Sequence, residues 1–215
     1  MPARLLLLFA FLSAGSRAEI IDRIAVAVDN QVITESEMLR EIRLTEFLNA
    51  DPIDFSPATK KKAADRLIEQ KLIRKEIGLG RYAELNPEGV LPLLNQIQTE
   101  RFHGTEGYRQ ALEKYGITEE DLKTHLLWQL TLLHFIDVRF RPGVQVSDDD
   151  VRAYLESKLR EMEGSAGPNK DASQDDLRDK IRETLTSQRV DKQLDGWLAE
   201  TRKRSRIEFH PEAFQ

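Results

Sequence analysis

The side chains that can act as catalytic bases are few and scattered along the chain. There is no cysteine, so nucleophilic catalysis would need a serine or threonine beside one of four histidines. None of the histidines lies near a nucleophile motif such as Gly-x-Ser-x-Gly. His125 and His134 are nine residues apart, whereas neighbours on one helix face are three or four apart, so they do not form a metal-binding pair. We therefore expect no catalytic or metal site, and we interpret all four as surface or packing residues: His103, His125, His134 and His210.

The clusters of charged residues are explained by local structure. Glu119–Asp121 and Asp148–Asp150 directly follow a threonine and a serine, a pattern typical of helix N-termini, where acidic residues interact favourably with the helix dipole. The basic runs Lys60–Lys62 and Arg202–Arg206 belong to a chain with a formal net charge of −5, so solvated faces are favoured over a nucleic-acid site. No glycine-rich phosphate-binding motif is present, and we expect no cofactor.

Aromatic side chains are the remaining candidates, because they can line a groove for an extended peptide or fill a core. Trp128 and Phe135 lie in the most apolar helix that we predict beyond residues 1–18. For both side chains we favour packing in the core. The other aromatic residues of this region lie in or before a shorter helix. The candidate peptide-binding residues, with core packing as their alternative, are Phe102, Tyr108, Leu112 and Tyr115.

The strands that we expect to form a sheet lie near the two ends of the chain. Ile20–Val28 is β-like, Asp29-Asn30-Gln31 predicts a turn, and Val32-Ile33 predicts a short return strand. Ile207–Phe209 predicts a third strand. Because each short strand alone would leave an unsatisfied edge, we expect Ile207–Phe209 to pair with Ile20–Val28.

Helix signals fill the rest of the chain and predict a mainly α protein. Thr34 and Glu37 form a capping box, and proline stands at the first helical position after Ser56 and after Asn86. Nine of the thirteen residues Leu126–Val138 are apolar, which is more than one helical stripe holds, so we expect this helix to be enclosed by the others. The predicted helices begin near Glu35, Pro57, Pro87, Tyr108, Glu119, Asp148 and Gln174.

The first residues have the pattern of a secretory signal peptide. Met1–Ala18 contains the apolar run Leu5–Leu12, and the small residues Ser16 and Ala18 occupy the positions that a signal peptidase recognises. The apolar run is far shorter than the roughly 20 residues that span a bilayer. We therefore predict cleavage before Glu19 and export. Loss of the two arginines of this leader changes the net charge from −5 to −7.

Two distant stretches carry a recognisable pattern. From Ile20 to Glu37 the chain reads as an amphipathic strand, an Asn-containing turn, a short apolar return, and a helix that begins with Glu-Ser and an acid. From Gln188 to Ile207 it reads as the end of a long helix followed by a closing strand. Together with the apolar helix Leu122–Phe140, these stretches resemble the N-terminal module and the C-terminal helix of the SurA-type periplasmic chaperones. The resemblance covers nearly the whole chain after the leader.

The resemblance implies a fold and a division into domains. Residues 19–163 would form a helical peptide-binding domain of the trigger-factor/SurA type, and residues 174–215 would supply a C-terminal helix and strand that pack back on it. In the full-length family, parvulin-type prolyl isomerase domains of about 100 residues lie between these parts, a common domain size. Here only residues 164–173, rich in small and polar side chains, separate them. The resemblance therefore implies the chaperone core without an isomerase domain.

The resemblance also implies a function. We expect a periplasmic, ATP-independent holdase that binds unfolded exported polypeptides, in particular outer-membrane protein precursors. Nucleic acid and stable membrane insertion are not expected. Two alternatives stay open: a prolyl isomerase with an unrecognised site, against which the missing parvulin segment argues, and a scaffold dedicated to one envelope protein, which the sequence does not separate from the holdase.

Overall fold

The structure is a computed structural model that describes residues 22–80, 82, 85–162 and 174–215. The predicted leader and linker lie outside the described residues. The described part is mainly helical with a small antiparallel sheet built from both ends, which confirms the predicted fold class. Its strands are β1 (Ile24–Val28), β2 (Gln31–Thr34) and β3 (Ile207–Phe209). Its helices are α1 (Glu35–Asn49), α2 (Pro57–Leu79), α3 (Leu91–Gln96), α4 (Thr105–Tyr115), α5 (Glu119–Arg139), α6 (Asp148–Met162) and α7 (Gln174–Arg204).

The sheet joins the two ends of the described chain. Its strand order is β2-β1-β3, and Val26 is opposite Ile33 on one side and Phe209 on the other. The tight turn between β1 and β2 places Asp29 at a positive φ of 53°, a conformation that aspartate tolerates. The backbone N–H of Asp29 donates to the carbonyl of Arg206 at 2.8 Å. The predicted pairing of the C-terminal strand with the first strand is thereby confirmed.

Side-chain caps fix several helix ends at the expected residues. Thr34 and Glu37 form the predicted capping box of α1, and Thr118 and Asp121 form the same arrangement at α5. Each threonine hydroxyl accepts an N–H that the helix leaves unpaired, and each carboxylate accepts the N–H of the cap. Helix α4 ends at Gly116, whose φ of 63° is the left-handed conformation of a helix terminator.

The third predicted helix is not continuous. It consists of a 3-10 turn at Pro87–Val90, the short helix α3, and a π-helical turn at Ile97–Arg101. Pro92 explains the first break, because it has no N–H for the carbonyl of Glu88 four residues earlier. That carbonyl instead accepts from Leu91, which tightens the turn to 3-10 geometry.

Three apolar clusters form the core. The first lies between the sheet, α1 and α2, and it includes Ala213 from the C-terminal segment. The second is built from α1, α4, α5 and the segment around α3. The third joins α2, α5 and α7. Helix α5 contributes side chains to both the second and the third cluster, so it connects the two halves of the helical part.

The expectation that α5 is fully enclosed is wrong. Leu126, Trp128 and Phe135 are buried, but Leu133 is 59% exposed and Val138 is 48% exposed. The second and third clusters occupy two directions around the helix, and the described residues leave the apolar side chains that point elsewhere exposed. No helix of the described residues combines the length and apolar content required to cross a bilayer.

Candidate functional site

The four residues predicted to bind a peptide lie together in the second cluster. Tyr108, Leu112 and Tyr115 are buried, and Phe102 is half-buried at the edge. The ring centroid of Phe47 is 5.2 Å from that of Phe102 and 5.6 Å from that of Tyr115. The structure thus assembles these residues around an aromatic core. Peptide binding by them stays a prediction.

Two tyrosine hydroxyls in this cluster differ in their hydrogen bonding. The Tyr115 hydroxyl donates to the carbonyl of Asp51 at 2.8 Å. Within the described residues, the Tyr108 hydroxyl is buried and makes no hydrogen bond, an arrangement that typically costs about 1–3 kcal/mol. Burial, with the nearby charge of Glu119, raises the pKa of Tyr108 to about 12. Tyr108 is therefore an uncharged core residue at neutral pH.

A second candidate site is an open groove between α1, α2 and α5, with a volume of about 450 Å³. Leu44, Leu67 and Trp128 are buried side chains that line it with apolar surface. Apolar surface beside a few polar groups is typical of binding sites. The polar lining residues are Glu37, Arg40, Glu41, Gln70, Lys71, Arg74, Glu120, Asp121, Thr124 and His125.

Ion pairs across the groove neutralise most of its charges. Arg40 lies 3.3 Å from a carboxylate oxygen of Asp121, and Lys71 lies 3.4 Å from one of Glu37. These pairs connect α1 to α5 and α1 to α2. Within the part of the chain that the structure describes, no three histidine, aspartate or glutamate side chains are grouped as metal ligands. The groove is thus a polar cleft with an apolar floor.

Glu41 is the most buried charged group of the groove, with 7% of the residue exposed. Its carboxylate lies 3.1 Å from Arg66 Nε and 3.5 Å from His125 Nδ1. Burial alone would raise the pKa of Glu41, but the hydrogen bonds and charges of His125 and Arg66 outweigh it and hold the pKa below its ordinary value. An ionised Glu41 therefore connects all three helices of the groove.

We expect Glu41→Gln to lower the free energy of unfolding at pH 7 by about 1–3 kcal/mol, the usual cost of a lost buried partner. Because the folded-state pKa of Glu41 is depressed, its stabilisation is present above the unfolded-state pKa and is lost as the pH falls through the folded-state pKa. Urea unfolding at neutral and acidic pH measures the difference between variant and wild type, which should shrink in acid. Glu208→Gln, at an exposed residue of β3, is the control. A difference that is independent of pH would contradict this assignment.

Sequence reasoning missed the groove. His125 was expected to be a surface or packing residue, and it is half-buried against Glu41. Trp128 was expected in the core, which its burial confirms. The available signal was the spacing of Thr124, His125 and Trp128, which share one face of α5. Spacing along one helix does not reveal that Glu41 and Arg74 lie opposite that face.

Several exposed apolar side chains lie outside the groove. The most exposed are Leu79 at 78% and Leu133 at 59%, followed by Val138 and Leu91. Single exposed apolar residues are common on soluble proteins. On α5, however, Leu133 and Val138 belong to a helix whose apolar content exceeds what its neighbours cover. They are therefore candidates for contact with another polypeptide.

The chain is thus a mainly helical module with a small terminal sheet and an open groove whose apolar and polar lining is typical of binding sites. In sequence, the chain is similar to proteins named Chaperone SurA. The one from Pseudomonas fluorescens is 23% identical over 159 residues, which is 73% of this chain and 37% of that protein. The ones from Pseudomonas aeruginosa and Pseudomonas putida are also 23% identical, over 72% and 73% of this chain. No protein-family model matches the chain.

These matches confirm the resemblance to the SurA-type chaperones and also limit it. The chain spans well under half the length of the curated relatives that it matches, 37% to 38% in each case. The shared part is consistent with a SurA N-terminal-like fragment without a parvulin domain. The 11 residues 163–173 between the described parts are too few to hold one.

Proposed function

We propose that the protein is a chaperone that binds non-native polypeptides without ATP. The observation that carries this proposal is the similarity to proteins named Chaperone SurA over 73% of the chain. We further propose that it acts in the periplasm after removal of residues 1–18, and that its clients are exported polypeptides such as outer-membrane protein precursors. The leader pattern in the sequence supports this location.

The surface of the described residues supports such a function. The groove between α1, α2 and α5 and the exposed Leu133 and Val138 offer apolar contacts at separate places. Of the four peptide-binding residues predicted from the sequence, half-buried Phe102 is the one whose side chain a client reaches without opening the core. Several weak contacts allow fast release. The net charge, −7 after cleavage, keeps a loaded complex soluble.

Suppression of aggregation tests the proposal directly. Residues 19–215 should slow the aggregation of an unfolded porin at a near-stoichiometric ratio without ATP, as measured by light scattering. Changing Leu133 and Val138 together to serine should weaken suppression, because both side chains are exposed and their loss should leave the core intact. Val32→Ser, at a similarly exposed apolar residue of β2, is the matched control. No suppression at a several-fold molar excess would contradict the proposal.

Two further measurements separate the alternatives. A protease-coupled assay on a proline peptide should show no acceleration of isomerisation, whose barrier of about 18–20 kcal/mol requires a dedicated site. Clear acceleration would favour the isomerase. Capture of bound polypeptides from the periplasm should yield many clients. Capture of one envelope protein alone would favour the dedicated scaffold.

A further inference from the structure

Arg74 differs from the other basic residues of the groove between α1, α2 and α5. Arg40, Lys71 and His125 each face a carboxylate of the groove within 4.0 Å. Arg74 makes no side-chain hydrogen bond or ion pair within the part of the chain that the structure describes. Its guanidinium carbon instead lies 4.2 Å from the ring centroid of Trp128. The groove therefore contains a positioned cation without an anionic partner.

The surroundings of Arg74 favour an anion. Partial burial lowers the pKa of the Arg74 guanidinium, and no neighbouring carboxylate raises it again. The guanidinium stays charged, because arginine is not deprotonated in proteins. Stacking on Trp128 restricts its orientation and leaves its N–H groups available for a planar acceptor. Carboxylates match such a group with two parallel hydrogen bonds.

We propose that this groove binds a carboxylate of the client polypeptide, with Arg74 as its direct partner and the client's adjacent apolar side chain on Leu44, Leu67 and Trp128. The inference rests on the proposed function, because the occupant is a segment of a client. It specifies which chemistry a client offers at this site: an acidic group beside an apolar residue. An acidic side chain and a chain-terminal carboxylate both satisfy it.

The charge of the groove favours a carboxylate over a more highly charged anion. Arg40 and Lys71 are already paired with Asp121 and Glu37, acids of the same groove. One carboxylate brings a single charge, which Arg74 neutralises. A phosphate group brings about two negative charges, and within the described lining the other basic side chains are engaged with acids. The groove thus disfavours phosphorylated and nucleotide ligands.

The dimensions of the groove match a short extended segment. Its lining on α5 runs from Glu120 to Trp128, which is about 12 Å along a helix that rises 1.5 Å per residue. An extended chain covers this length with about three or four residues. A client segment with an acid at one end and an apolar side chain beside it therefore fits between the helices.

Trp128 provides a direct signal for occupancy of the groove. The chain has two tryptophans, and Trp197→Phe leaves Trp128 as the only one. The probes are short amide-capped peptides in which Asp or Asn stands beside Leu and Phe, plus an Asn peptide with a free C-terminal carboxylate. We expect the Asp peptide to change Trp128 fluorescence and to bind about three- to tenfold more tightly than the capped Asn peptide. If the Asn peptide with a free C-terminal carboxylate binds more tightly than the capped Asn peptide, a chain-terminal carboxylate also occupies the site.

Arg74→Gln should abolish the preference for Asp and leave the binding of the capped Asn peptide nearly unchanged. Arg43→Gln is the matched control, because Arg43 lies 5.5 Å from the ring centroid of Phe55 outside the groove. It should keep the preference. If Arg74→Gln lowers the melting temperature, two measurements replace it: Arg74→Lys should retain part of the preference, and raising the salt from about 0.05 to 0.5 M should reduce the preference of the parent protein.

The outcomes separate this inference from the proposed function. Equal binding of Asp and Asn peptides would overturn the carboxylate site and leave the chaperone proposal standing. Aggregation suppression without any peptide-induced change of Trp128 fluorescence would also overturn it, because clients would then bind elsewhere. A preference for Asp that survives Arg74→Gln would assign the carboxylate to another residue. Failure of both peptide binding and suppression would contradict the proposed function itself.

Discussion

Removal of residues 206–215 is expected to lower the free energy of unfolding by about 3–5 kcal/mol, the usual cost of removing partners from a buried charge. The charge is that of Lys60, which is 6% exposed. Its ammonium group donates to the carbonyl oxygens of Ala213 at 3.2 Å and of Gln215 at 2.7 Å. In the shortened chain its remaining partner would be Glu35, 3.6 Å away.

The same truncation removes β3 and uncovers β1. The backbone N–H of His210 donates to the carbonyl of Ala25 at 2.9 Å, and Ala213 is fully buried in the first cluster. The loss should therefore affect the whole sheet and the helices packed on it. Thermal unfolding followed by circular dichroism measures this effect.

A rescue and a control distinguish the two contributions. In the truncated chain, Lys60→Met should recover part of the lost stability, because it removes a charge that has lost its two carbonyl partners. In the full chain, Glu208→Ala should have little effect, since Glu208 is an exposed residue of β3. An unchanged melting temperature after truncation would show that the C-terminal segment is an independent appendage.

Phe135→Ala is expected to destabilise the protein by about 3–5 kcal/mol, the typical range for a buried phenylalanine. Phe135 is 1% exposed and lies at the centre of the third cluster. Its ring centroid is 5.8 Å from those of Phe140 and Trp197. The substitution would leave a cavity where α5 meets α7. Urea unfolding gives the change in the free energy of unfolding.

Leu133→Ala, on the same helix, is the matched control. Leu133 is 59% exposed, so its truncation should change stability by no more than about 0.5 kcal/mol. Equal losses for the two variants would contradict the assignment of inner and outer faces of α5. A stable Phe135→Ala protein would contradict the third cluster as a core.

Local chemistry made most helix ends predictable. The capping boxes of α1 and α5 and the proline that begins α2 are determined by residues within four positions of the helix end. The third predicted helix broke because of Pro92, whose effect on the preceding carbonyl is also local but was not used in the prediction. Pairing of β3 with β1 was predictable because short strands need partners.

The faces of α5 illustrate where prediction from the sequence ended. Its apolar count suggested complete enclosure, but the count does not tell which directions the neighbouring helices cover. The structure places neighbours on two sides and leaves Leu133 and Val138 exposed. The four predicted peptide-binding residues show the same ambiguity, since an aromatic residue suits a core and a groove equally well.

The sequence by itself determined the helical class, the positions of most helix ends, the closing strand and the resemblance to the SurA-type chaperones. These properties depend on periodicity and on contacts between residues near each other in the chain. Only the tertiary structure decided that Arg74 stacks on Trp128 with no carboxylate partner among the described residues, and that Glu41 pairs with Arg66 and His125. The groove is built by α1, α2 and the distant α5, and their relative positions follow from the packing of the whole core, which no local pattern encodes.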